Sequence, residues 1–421
     1  FDDAVGITRV NSGYNLWVSI ADVSYYVKLG SSIDNEALQR GTSIYLPDMV
    51  IPMLPEMLSN EVCSLIPDED RLTKTVEMNF NNRGVMTGYK IYNSLIRSRA
   101  RLTYTTASEI LNKTSKGRGR KTELLESLHI MNELYEKIRE KRIESGELSF
   151  DIPEPELIRD ELGRTVDVIK FQRHKAHGII EEFMIEANNA VAKHLFDSRV
   201  PTIYRIHDKP DIISFKELAN DLKKMGYSLK TDGQIKAKDI QKVIFESENK
   251  PEKVAVNMLI LRSLKRALYS TKGKGHFGLA LKHYTHFTSP IRRYPDLVVH
   301  RVIDAMINNR KLPYNEEALE WISSNSSIKE RYADEVEREA IKLESVNMMK
   351  SHVGSEFVGF IISVLPFGMF VELKEFFVEG FIPKENIKNI TSREFDIGHR
   401  VRVKIEDVDV ERRRITLDLV S

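Results

Sequence analysis

Cysteine is nearly absent from this chain. Cys63 stands alone in 421 residues, so no internal disulfide can form. That fits a reducing, cytoplasmic setting. There is no run of roughly 18 apolar residues, so no hydrophobic span across a bilayer is expected. No secretory leader is expected at the start either. An excess of one charge sign is also missing. The 63 Lys+Arg and 62 Asp+Glu leave a formal charge of +1, which does not mark the whole chain as a nucleic-acid binder. No long-period internal repeat is found.

What is present is ordinary in bulk and uneven in detail. The length exceeds what a single core usually organises, so one large domain and at least one smaller one are expected. Local charge departs from the global balance. Between residues 262 and 301 lie Arg262, Lys265, Arg266, Lys272, Lys274, Lys282, Arg292, Arg293 and Arg301, with Asp296 the only acid. Aromatic and His side chains are interleaved there (His276, Tyr284, His286, Tyr294), a mixture suited to phosphates and bases rather than to a plain solvated face.

Patterning divides the chain. Residues 14–27 read as a strand, and residues 75–100 as two more around a turn at Asn81–Gly84. Helical spacing predicts helices over 121–145, 175–197, 253–269 and 316–351. The Gly/Lys-rich segment 113–121 reads as a loop. After Val353 the composition changes to short strands with regular turns: 357–364, 368–373, 379–383, 400–408 and 414–419. That pattern predicts a small β-barrel. The fold class is therefore α+β: a large mixed α/β domain over 1–352, followed by an OB-fold barrel over 353–421.

Four motifs carry candidate chemistry. Asp2 and Asp3 are adjacent carboxylates just before a strand; they repel unless a hard cation neutralises them, and magnesium with its oxygen preference suits that role. Taken alone, the pair is better explained as a solvated acidic turn. Tyr45 lies on a path stiffened by Pro47, Pro52 and Pro55, where it either stacks on a base or fills the core. Arg292 and Arg293 follow Pro290, and an arginine held there can clamp a phosphate, although Arg293 could instead pair with Asp296. Phe360, Phe367 and Phe370 alternate along the barrel strands, where they either stack on bases or fill the barrel interior.

Together these motifs resemble the RNase II/RNase R family. The resemblance rests on Ile20-Ala21-Asp22-Val23, Gly41-Thr42-Ser43-Ile44-Tyr45-Leu46-Pro47, Leu58-Ser59-Asn60, Leu102-Thr103-Tyr104, Ile180-Glu181-Glu182, Tyr204-Arg205-Ile206-His207-Asp208 and Ser289-Pro290-Ile291-Arg292, in that order. The tail is similar to the S1 RNA-binding domain of that family. The resemblance implies a processive 3′-to-5′ exoribonuclease that hydrolyses single-stranded RNA to nucleoside 5′-monophosphates, acting as a monomer with one or two Mg²⁺ ions, manganese being the alternative. It places Asp2 and Asp3 as the last two of four aspartates, with the first two expected before Phe1. Asp3 would then be mainly a metal ligand, with Asp2 tied directly to catalysis. Arg292 would neutralise the scissile phosphate, and Tyr45 would stack on the terminal base. Tyr104, with Glu181 or Glu182, would sense the ribose 2′-OH, and Glu337 would lie near the RNA path. Two other classes remain open at this point: an RNA binder that has lost catalysis, and a DNA-directed nuclease.

Overall fold

The computed structural model describes all residues except 113–119, 151–154, 232, 251, 377, 388–394, 396–397 and 421; for residues 120 and 121 it describes only the backbone. Most of the expected 113–121 loop lies outside the described residues.

The large domain is built on a four-stranded antiparallel sheet. Its strands are β1 (Asp3–Val10), β2 (Gly13–Ala21), β5 (Asp70–Asn81) and β6 (Met86–Arg97), in the order β1-β2-β5-β6. The strand expected over 14–27 stops at Ala21. Asp22 ends it by accepting a hydrogen bond from Tyr25 N–H, which caps the one-turn helix α1 (Val23–Tyr26). Helix α2 (Ser32–Arg40) follows, capped by Ser31 and stopped at Gly41 (φ 74°). A short pair, β3 (Ile44–Tyr45) and β4 (Val50–Ile51), and a π-helical turn (Met57–Val62) lead back into the sheet. The β5–β6 turn needs Gly84: its φ is 71°, and a Cβ there would come within 2.9 Å of the Lys137 backbone.

Helices α3 (Tyr104–Asn112), α4 (Arg120–Ser145) and α5 (Lys175–Asp197) follow, with the hairpin β7 (Pro155–Arg159) and β8 (Thr165–Lys170) between α4 and α5. Strand β9 (Tyr204–Ile206) leads to a small helical layer, α6 (Ile212–Lys224), α7 (Ala237–Ser247) and α8 (Lys253–Ser263). The helix expected to run to 269 ends at Ser263 instead. Residues Leu268–Ser270 form β10, which pairs antiparallel with β9 and buries Tyr269. The intervening Leu-Lys-Arg-Ala-Leu is a good helix former, so strand pairing here overrides local propensity.

Helix α9 (Tyr294–Ile307) is buried along most of its length, and α10 (Glu316–Met349) is the longest element. Leu16, Val18, Ile20, Val76 and Met78 of the sheet pack against Leu134 and Ile138 of α4, Phe183 and Val191 of α5, and Val299 and Val302 of α9. Beyond α10 the chain closes the barrel β11 (Glu356–Leu365), β12 (Gly368–Leu373), β13 (Val378–Pro383), β14 (Arg400–Asp409) and β15 (Arg414–Leu419), in the order β11-β12-β13-β15-β14. Its interior is aliphatic: Ile361, Met369, Val371, Ile382, Val403, Ile405 and Leu417 are buried. The β7–β8 hairpin joins this core through Val168, and Thr165 donates a hydrogen bond to Glu344 of α10 (2.8 Å). Among the described residues no helix is long and apolar enough to cross a membrane.

Candidate active site and nucleic-acid interface

The turn before α9 organises the first part of the site. Asp296 is fully buried and accepts from Ser289 N–H (2.8 Å) and from two atoms of Arg293, Nε at 2.9 Å and a terminal nitrogen at 2.7 Å. This bidentate pair fixes the Ser289–Arg293 turn. Arg293 thus makes the pairing with Asp296 that the sequence left open. Arg292 differs: among the described residues no hydrogen bond or ion pair holds its guanidinium.

Two connections bring distant segments to this turn. Asp2 accepts a hydrogen bond from Ile291 N–H at 2.8 Å, while its backbone carbonyl accepts from Ala21 N–H. The segment around Thr42 bridges Arg293 in antiparallel fashion, with Ser43 N–H donating to the Arg292 carbonyl (3.0 Å) and Tyr294 N–H to the Gly41 carbonyl (2.9 Å). Asp2, Asp3, Tyr45 and Arg292 therefore converge. Burial pushes the Asp2 carboxyl up to about 6, against the pull of the Ile291 N–H and Arg292. Burial raises Asp3 as well, again against Arg292. Two carboxyls held in a partly dehydrated site favour a cation beside them. Their all-oxygen donor set suits a hard ion that keeps waters and takes a phosphate oxygen. Among the described residues no cluster of three or more metal-binding side chains occurs.

Tyr45 leaves 46% of its surface exposed and is not a core residue. Its backbone N–H donates to Glu337 of α10 (2.6 Å). Glu337 thus anchors the Tyr45 strand, a role that nothing in the sequence around it signals.

The second part of the site lies around Tyr104. Its ring stacks on His177 (3.8 Å between centroids, 22° between planes), and the Asp3 charge adds to burial in raising its pKa. Beside it opens a cavity of about 810 Å³ lined by Phe171, Arg173, His174, His177 and Glu181. The two glutamates left unassigned by the motif separate cleanly here. Glu181 is exposed, lines this cavity and pairs with Arg173. Glu182 points the other way and is buried. It forms ion pairs with Arg142 (3.0 Å) and Arg139 (3.3 Å), which also hold Glu147. Burial pushes Glu182 up to about 7. It is not among the residues that line the cavity beside Tyr104.

The barrel offers the third part. Phe360 and Phe370 alternate with the buried Ile361, Met369 and Val371, so both lie on the outer face and do not fill the interior. Phe367 is 60% exposed. Phe370 packs against Phe381 of β13 (5.0 Å), and Phe367 sits 5.9 Å from the same ring. Sequence reasoning missed Phe381. Its signal was available: it alternates with the buried Gly380 and Ile382 as Phe370 alternates with Met369 and Val371.

A mixed domain with half-buried acids beside a free arginine, followed by a barrel with an aromatic outer face, defines the class. Residues 1–309 match the RNB domain, and residues 350–419 match the S1 RNA binding domain. The chain belongs to the RNB family and carries an S1 domain. It is 42% identical to Ribonuclease R of Aquifex aeolicus and 36% identical to Ribonuclease R of Escherichia coli, each match covering 100% of this chain. It spans only 62% and 55% of those two relatives. The structure of Mycoplasma genitalium RNase R in complex with ribose-methylated single-stranded RNA superposes with a TM-score of 0.93 at 29% identity. That match covers 100% of this chain and 69% of the other.

Proposed function

We propose that the protein is a processive 3′-to-5′ hydrolytic exoribonuclease that degrades single-stranded RNA to nucleoside 5′-monophosphates. The observation that carries this reading is the unengaged guanidinium of Arg292 beside the half-buried carboxyls of Asp2 and Asp3. Asp2 and Asp3 are the residues that would hold a divalent cation, Mg²⁺ by chemistry (one or two ions) with manganese as the alternative. When bound, it supplies a Lewis acid for the phosphoryl oxygen. Arg292 neutralises charge growing on the scissile phosphate, which a preorganised guanidinium does at little reorganisation cost. Tyr45 offers its exposed face to the terminal base, and Glu337 keeps its strand in place. Tyr104 and Glu181, at the same cavity, face the ribose, where a hydroxyl contact separates RNA from DNA. The outer barrel face stacks further bases. The single buried thiol suits a cytoplasmic enzyme, which would act as a monomer.

The test is digestion of 3′-tailed single-stranded RNA with Mg²⁺, beside an Asp2→Asn control. The protein used should extend upstream of Phe1, where the family resemblance places two further aspartates. Mononucleotides and one short end product, lost in the control, are expected. Intact RNA that still shifts on a gel would leave a binding protein built on the barrel face. Degradation of DNA with inactivity on RNA would overturn the role given to Tyr104 and Glu181.

A further inference from the structure

Several ammonium groups on this molecule are matched. Lys74, Lys137, Lys141, Lys175, Lys193, Lys224 and Lys253 each lie within ion-pair distance of a carboxylate. One cleft gathers five lysines that are not. Lys209, Lys236, Lys265, Lys274 and Lys282 line a cavity of about 720 Å³, with Asp208 the only lining carboxylate among the described residues. All five lysines are exposed, and among the described residues none has an ion pair. Nearby Asp211 caps α6 through Ser214 N–H (2.9 Å) and feels the charge of Lys265 without forming an ion pair with it. None of these residues belongs to the Asp2–Arg292 cluster or to the cavity beside Tyr104.

The walls of the cleft are fixed. His207 N–H donates to the Gly275 carbonyl (3.1 Å), and Phe277 N–H to the His207 carbonyl (2.9 Å). His276 and Leu281 exchange backbone hydrogen bonds at 2.8 and 3.2 Å. Gly275 holds φ 82°, where a Cβ would come within 2.8 Å of the Leu281 carbonyl. One wall is the start of α7, where Lys236 occupies the N-cap without a capping side chain and Ala237 lines the cleft. The first N–H groups of that helix add to the positive field. Five like charges gathered in a concavity repel one another, and low-dielectric walls focus their field outward. A solvated basic face gains nothing from such a shape. A polyanion relieves the repulsion.

The chemistry narrows the occupant. Lysines are point charges that do not read planar groups, and among the described residues no arginine lines the cleft. Its volume lies in the range of sites that hold drug-sized ligands, larger than one phosphate requires. We propose that this cleft binds the phosphodiester backbone of RNA outside the hydrolytic site, as a sequence-independent anchor on long substrates. The inference rests on the RNA-degrading reading above and adds a second RNA-binding region to it.

The experiment measures RNA binding by fluorescence anisotropy across a range of salt concentrations. It compares wild type with K265Q/K274Q/K282Q and, on the facing wall, K209Q/K236Q. Each is titrated with a long single strand and with an oligomer just long enough to reach the hydrolytic site. The expected result is about tenfold weaker binding of the long strand by either variant. The slope of log affinity on log salt should shrink by about 0.7 for each phosphate that is no longer neutralised. The oligomer should bind and be cleaved as in wild type. Unchanged affinity and slope for the long strand in both variants, with wild type binding normally, would overturn the anchor alone. Equal weakening on the short oligomer would overturn it by placing the lysines in the hydrolytic path. Displacement of the long strand by a nucleoside monophosphate in wild type but not in the variants would replace the backbone with a small phosphate ligand. A wild type that binds no RNA would overturn the proposed function as well.

Discussion

Asp2 and Ile291 are 289 residues apart in the chain and 2.8 Å apart in the fold, whereas Phe370 and Phe381 face each other across adjacent strands of one small barrel. The two regions solve recognition differently. Around Arg292, geometry comes from buried charge: Asp296 holds the turn, and Asp34 accepts from Tyr294 (2.9 Å) while pairing with Arg301 (2.7 Å) behind it. On the barrel, geometry comes from alternation, and the exposed rings carry little of the fold. Charge networks give a positioned functional group at the cost of fragility. A pleated surface gives replaceable contacts.

The framework should break first. Asp34→Ala strands Arg301 in a buried site, so urea unfolding should show a loss of about 3–5 kcal/mol. A loss under about 1 kcal/mol would mean that the network does not hold α2 to α9.

Arg292→Ala removes the free guanidinium without touching the turn. A drop of about 10²–10³ in single-turnover rate, with RNA affinity changed far less, is expected. Equal losses in rate and affinity would make it a binding residue like those of the barrel.

The buried side of the comparison should also respond to pH. His300 stacks on Phe287 (4.3 Å) and contacts its carbonyl through Nε2 (2.8 Å). Burial, with Lys74 nearby, pushes the imidazole down to about 4. The unfolded chain binds this proton more tightly, so the contribution is present above about pH 6.5 and is lost as pH falls toward 4. The size is on the order of 3 kcal/mol. Relative to His300→Gln, wild-type stability should therefore rise with pH through that window and run parallel outside it. Parallel curves throughout would sink the assignment.

The smallest effect belongs to the barrel. Phe367→Ala should weaken single-strand binding by about 1–3 kcal/mol, the range for one stacked base, and leave the urea midpoint in place. A shifted midpoint would show that this ring supports the fold after all.

Reading the sequence located the barrel strands almost residue by residue, because alternation and turns are local properties: Gly368–Leu373 and Arg414–Leu419 fall where the pattern puts them. It also picked out Asp2, Asp3, Tyr45, Tyr104 and Arg292 as residue types with the right chemistry. It could not say whether Arg293 pairs with Asp296, or choose between Glu181 and Glu182. Neighbours in sequence share their local pattern, and only the fold decides which one meets Asp296 or Arg142 and which is left free. Local order also failed where a remote strand competed, as β9 did for residues 268–270. Periodicity and residue chemistry were thus written in the chain, while the pairing of charges, and with it the availability of each candidate side chain, came only with long-range packing. Electrostatic partners are chosen by distance in space, which the order of residues does not encode.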